Sequence, residues 1–70
     1  MDSKKILAEL LECRPFKAFT ISFVNGESLY FEVADDPIAI SADGTCRTTF
    51  GRLQEVIFDL ESIVMFTVDA

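Results

Sequence analysis

Three groups of residues in this chain have side chains that could do chemistry. Asp35, Asp36 and Asp43 offer the several oxygen ligands that a hard divalent cation wants. Asp59 and Glu61 form a carboxylate pair of the kind used in general acid and base catalysis. Cys13 is a nucleophile whose thiolate would be favoured by the neighbouring Arg14. Each has a structural alternative. The aspartate spacing fits no EF-hand loop, and an Asp before Pro37 is a common turn former. Asp59 stands where it can cap a short 3₁₀ turn. The chain holds no histidine, so neither Cys13 nor any serine or threonine has the usual base beside it. The expectation is a chain with no catalytic residue, no metal and no cofactor, one that is not an enzyme.

Phosphate recognition is the other chemistry to weigh. Residues 1–18 set Lys4, Lys5, Arg14 and Lys17 against three carboxylates, while residues 19–70 set two arginines against nine. The net charge is −6 and the pI about 4.3. An acidic body repels phosphate at long range, which counts against nucleic acid and against an anionic membrane surface. Only Lys4, Lys5, Arg14 and Lys17 could form a local cationic patch. Stacking platforms for single strands interleave aromatic residues with cations. The phenylalanines here fall mostly at core-facing positions, and Tyr30 alone takes the polar face of its strand.

No apolar run approaches the ~20 residues that a membrane helix needs. Glu9 and Glu12 interrupt any signal-peptide core, so the expected compartment is the cytoplasm. There, Cys13 and Cys46 are expected as free thiols rather than a disulfide. Seventy residues make a single domain, residues 1–70, and half of them are hydrophobic. So small a body cannot bury all of its apolar surface, which points to a homo-oligomer or another protein as partner.

The elements that would position these residues can be read in order. Ser3 or Asp2 can cap a helix over about 3–13, with Ile6, Leu7, Leu10 and Leu11 on one face and Pro15 ending it. A hairpin follows. Phe19, Ile21 and Phe23 share one face of its first strand, and Leu29, Phe31 and Val33 share one face of the second. Asn25-Gly26 between them is the signal for a type I′ turn, which needs positive φ at both central residues. Turns are expected at Ala34-Asp35-Asp36-Pro37 and at Ala42-Asp43-Gly44-Thr45, on either side of a strand over Ile38–Ser41. Cys46–Phe50 and Leu53–Phe58 are strands separated by a break or bulge at Gly51. A 3₁₀ turn over Asp59-Leu60-Glu61-Ser62 leads into a last strand, Ile63–Val68, which is apolar on both faces. The predicted fold is mainly β with one N-terminal α-helix, a small SH3-like or Sm-like antiparallel barrel of five or six strands over about 18–69.

Leu7, Leu10 and Leu11, then Pro15-Phe16-Lys17-Ala18-Phe19, then Asn25-Gly26, and last Phe58-Asp59-Leu60-Glu61-Ser62-Ile63 resemble a group of small bacterial proteins. That group has a leucine-rich N-terminal helix, a Pro-Phe-x-x-Phe step and a closing Asp-Leu-x-x-Ile strand, and it has no assigned activity. The order of elements is also loosely similar to Sm-like proteins, which assemble into rings through their fourth and fifth strands and bind RNA near the closing pair. Where that family places a cation or a small residue, this chain has Asp59-Leu60-Glu61. The resemblance implies a barrel and edge pairing more than it implies RNA.

Two readings follow from these residues. In the first, the chain is a non-enzymatic protein-interaction module that self-associates. Its interface is then Ile63, Val64, Met65, Phe66 and Val68, because an uncovered apolar edge strand must be paired. In the alternative, an Sm-like oligomeric ring binds nucleic acid through Lys4, Lys5, Arg14 and Lys17.

Overall fold

Asp2 starts the helix. Its carboxylate accepts a hydrogen bond from the backbone N–H of Lys5 at 3.1 Å, which satisfies one otherwise orphaned donor of the first turn, and its carbonyl accepts the first intrahelical bond, from Ile6. The helix α1 (Ser3–Glu12) ends where Cys13 turns to extended backbone, two residues before Pro15, and the Arg14–Pro15 peptide bond is cis. At that end the Arg14 guanidinium donates to the carbonyls of Leu11 and Cys13, taking up one of the helix's free acceptors. Leu7 is wholly buried, and Leu10 and Leu11 pack against the core beside it. Ile6, at the edge of the same face, is only half-buried and stands apart from that cluster.

The computed structural model describes residues 2–32, 38–50 and 54–69. Within them lie six strands: β1 (Phe19–Phe23), β2 (Ser28–Phe31), β3 (Ile38–Ile40), β4 (Thr45–Phe50), β5 (Gln54–Asp59) and β6 (Ile63–Val68). The expected extension of β2 to Val33, the turn at Ala34-Asp35-Asp36-Pro37, the break at Gly51 and the start of a strand at Leu53 lie outside the described residues, as does the side chain of Phe50.

The strands form two antiparallel sheets with the orders β2-β1-β6 and β3-β4-β5. Among the described residues no ladder joins the sheets, so the structure has two separate sheets where a single closed barrel was expected. The 3₁₀ turn Leu60–Ser62 explains one of the two gaps. Asp59 caps it by accepting from the N–H of Glu61, and Leu60 N–H donates to the carbonyl of Gly44. The chain is thereby redirected, and β6 pairs with β1 instead of folding back on β5.

Alternation assigns the core correctly in the first sheet. Phe19, Ile21 and Phe31 are fully buried, whereas Ser28 and Tyr30 are exposed. Phe19 and Phe31 face each other across the β1–β2 ladder with ring centroids 5.2 Å apart. From the second sheet Cys46 and Thr48 enter the same interior, and Phe23 meets Phe58 edge-on, also at 5.2 Å, tying the sheets together.

Two details depart from the sequence pattern. The first is the hairpin turn. Within this turn only Gly26 has positive φ, at 87°, and no non-glycine residue among those described does, so a type I′ turn is ruled out. Val24-Asn25-Gly26 forms a three-residue loop instead, with Gly26 N–H donating to the Phe23 carbonyl and Phe23 N–H to the Glu27 carbonyl. The Asn25 side chain supports this loop, its Oδ1 accepting from the N–H of Glu27 at 3.0 Å in an Asx turn. The second is a bulge in the β1–β6 ladder. Ser22 pairs with Met65 but Phe23 pairs with Ile63, so Val64 is the extra residue. The slip carries Ile63 into the core, on the side of Ile21 and Phe66.

Candidate functional site

Two of the candidate carboxylates, Asp43 and Asp59, have structural partners. Asp43 accepts hydrogen bonds from the Ser41 hydroxyl and the Thr45 N–H within the β3–β4 turn, and these bonds, the Ser41 hydroxyl first, hold its carboxyl below the ordinary aspartate range. Gly44 in that turn has φ of 91°. A Cβ there would lie 3.6 Å from the Asp59 carboxylate, an ordinary contact, so its backbone conformation is what selects glycine. Asp35 and Asp36 lie outside the described residues. Asp59 caps the 3₁₀ turn, and Glu61 beside it is exposed.

Both cysteines are free. Cys46 is buried under the second sheet, where loss of water and then the charge of Asp59 push its thiol pKa up, the opposite of what a nucleophile needs. Tyr30 is exposed. Its hydroxyl donates to Asp69 at 2.9 Å, and that bond is the main cause of its raised pKa. With Asp69 N–H donating to the Ala18 carbonyl, this pair fastens the chain just after β6.

Lys4, Lys5, Arg14 and Lys17 are all exposed, but the structure divides them into two pairs. Lys4 and Lys5 lie in the first turn of α1, and Arg14 and Lys17 lie beyond its other end, which is about 10 Å along the helix from Lys5 at 1.5 Å per residue. Lys4 lines a hollow of about 390 Å³ together with Asp2, Glu61 and Ile63, so carboxylates stand beside it. Arg14 is occupied by backbone carbonyls.

What remains is a set of strand edges. Among the described residues each sheet leaves two outer strands, and those four edges differ in length and charge. β2 is four residues long and β3 only three. β5 has six residues and presents Glu55 and Asp59. β6 also has six, Ile63–Val68, and none is charged. Natural edges are blunted by charge, proline or shortness. β6 has none of these, its bulge at Val64 being the one feature that interrupts it, and Val64, Met65 and Val68 on it are 52 %, 52 % and 44 % exposed. Of the other residues expected at an interface, Ile63 is buried in the chain's own core and Phe66 is half-buried against it.

Beside β5 runs a groove of about 270 Å³ that sequence reading missed. Its lining comes from the end of β1 (Phe23), the β1–β2 turn (Val24, Glu27), the start of β2 (Leu29) and Val56, Ile57 and Phe58 of β5. One local signal was available. Ile57 is an apolar residue between Glu55 and Asp59 on the exposed face of its strand, and Val24 is a bulky apolar residue in a turn.

No known protein family matches the chain, nor does any characterised protein or solved structure.

Proposed function

We propose that this chain is a non-enzymatic protein-interaction module that self-associates by pairing β6 with β6 of a second copy. The observation that carries the reading is the free edge of β6. It is six residues long, uncharged, and lined by three exposed hydrophobic side chains, which makes it the least protected of the four edges. Antiparallel pairing of identical strands is self-complementary and satisfies a twofold axis, the commonest symmetry of homo-oligomers. It would extend β2-β1-β6 into a continuous sheet across both copies.

The order of elements supports a finer description of the scaffold as two halves of a small SH3-like or Sm-like barrel. β2 and β3 follow one another in the chain but belong to different sheets, and the last strand returns to pair with the first after a 3₁₀ turn.

Val64→Lys is the direct test of the self-association. Val64 is the bulged residue and half exposed, so the substitution burdens the edge and spares the core. Sedimentation should show the variant dissociating at concentrations where the parent chain is associated, with unchanged circular dichroism. Equal sedimentation of the two would rule out β6 as the contact. Phe66→Lys is a poorer probe, because Phe66 packs on the core and its loss would also unfold the chain.

A second reading rests on the fact that β5 and β6 both have free edges of equal length, as a ring built from β5 of one copy and β6 of the next requires. Such a ring could present Lys4, Lys5, Arg14 and Lys17 to nucleic acid. Carboxylates oppose it, since Glu55 and Asp59 on β5 would approach Glu61 and Asp69 flanking β6.

A further inference from the structure

We propose that the groove between the β1–β2 turn and the free edge of β5 is a docking site for an extended apolar segment of a partner protein, flanked by lysine or arginine. Consecutive residues of a strand point to opposite faces, so a hollow lying on one face of a sheet touches every second residue. This groove is lined by Val56, Ile57 and Phe58 in succession, and by Glu27, Ser28 and Leu29 in succession on the other side. It therefore meets both strands side-on, along their edges. Among the described residues β5 pairs with β4 alone, which leaves the N–H and C=O groups of its outer edge available to an added strand.

The side chains set what that strand must be. Phe23 and Phe58, in edge-on contact, form an apolar floor with Leu29. Val24 and Ile57 stand above it at 69 % and 53 % exposure, more exposed apolar surface than a turn and a charged strand normally carry. An alternating segment would set apolar side chains against this floor. Glu27 lines the groove on the side of the hairpin, Glu55 and Asp59 stand just beyond its lining on β5, and no lysine or arginine is among the described residues that line it. Arg47 offsets Glu55 in part, at 3.7 Å, and Asp59 is engaged in capping the 3₁₀ turn, so Glu27 is the carboxylate that sets the charge of the groove itself. This charge selects the occupant. The chain's own β6 is flanked by Glu61 and Asp69 and would be repelled, whereas an apolar strand bordered by cations is complementary.

A short synthetic peptide of alternating valine and threonine with lysines at both ends is the probe, titrated into the isotope-labelled full chain and followed by NMR. Binding should shift the backbone amides of Val24 and residues 56–58, and it should weaken as salt is added. Replacing the flanking lysines by glutamates should weaken it at least about tenfold, as should Ile57→Ser or Val24→Ser, both at exposed positions that leave the core intact. Several results would overturn the proposal: no shift with either peptide, equal affinity for both peptides, or shifts centred on β6. A change in the mass of the protein caused by Ile57→Ser would also overturn it, because the groove would then be filled by a second copy. The titration is read separately from the protein's association state, so its failure leaves the β6 reading standing.

Discussion

Leu7→Ala should bring this protein close to the limit of folding. Leu7 is the only residue of α1 that is fully buried, and it is packed with Phe19, Ile21, Phe31, Cys46 and Ile63. Truncating a buried leucine to alanine costs about 2–5 kcal/mol, the lost transfer energy plus that of the cavity left behind. A native chain of this length holds about 3–10 kcal/mol in all, so the single substitution removes about a fifth of it at the least and most of it at the upper end. Seventy residues unfold with an entropy near 0.15 kcal/mol/K, so a loss of about 3 kcal/mol lowers Tm by ~20 °C. Ile6→Ala provides the internal comparison. Ile6 is adjacent in sequence and equally apolar but only half-buried outside the cluster, and its truncation should cost about 1 kcal/mol or less. Thermal melts followed by circular dichroism, at one fixed protein concentration because association makes Tm concentration-dependent, give both values. Equal losses for the two variants, or a loss below about 1 kcal/mol for Leu7→Ala, would refute the packing of α1 on the sheets.

Thr48→Val should stabilise the chain. The Thr48 hydroxyl is buried and makes no hydrogen bond among the described residues, so a valine of the same shape removes a desolvated polar group for a gain of about 1 kcal/mol, read as a Tm rise of ~4–8 °C; an unchanged or lower Tm would mean the hydroxyl has a partner. The pH dependence should carry a contribution from Asp43. Its folded pKa is depressed, so the stability it lends is full above the ordinary aspartate pKa and is lost as the pH falls through the folded value. Asp43→Asn should therefore be less stable than the parent near neutral pH, with the gap closing on acidification, and parallel Tm profiles would contradict the linkage.

Much of the scaffold was legible in the chain because local chemistry and tertiary packing agree there. Asp2 and Pro15 bracket α1, Asp59 caps the 3₁₀ turn, and Ile63–Val68 is a strand to its last residue. The alternation in β1 and β2 correctly separates Phe19, Ile21 and Phe31 from Tyr30. Disagreement begins where a side chain competes with the backbone or where two ladders meet. Asn25 bonds to Glu27 N–H and supports a three-residue loop, which its type alone does not disclose. The bulge at Val64 follows from the register of β6 on β1, a relation between segments some 40 residues apart, and it moves Ile63 from the expected interface into the core. The groove was out of reach for the same reason. Hydrophobic pattern tells which residues are apolar, but which strand edge is left unpaired is decided by topology.

Absolute mass by light scattering across a concentration series is the measurement that bears most directly on the central claim. Self-pairing through β6 predicts a species of twice the 7.8 kDa chain mass that dissociates on dilution and is lost in Val64→Lys. A constant 7.8 kDa at every concentration would contradict it, and a larger mass independent of dilution would replace the twofold pair with a ring.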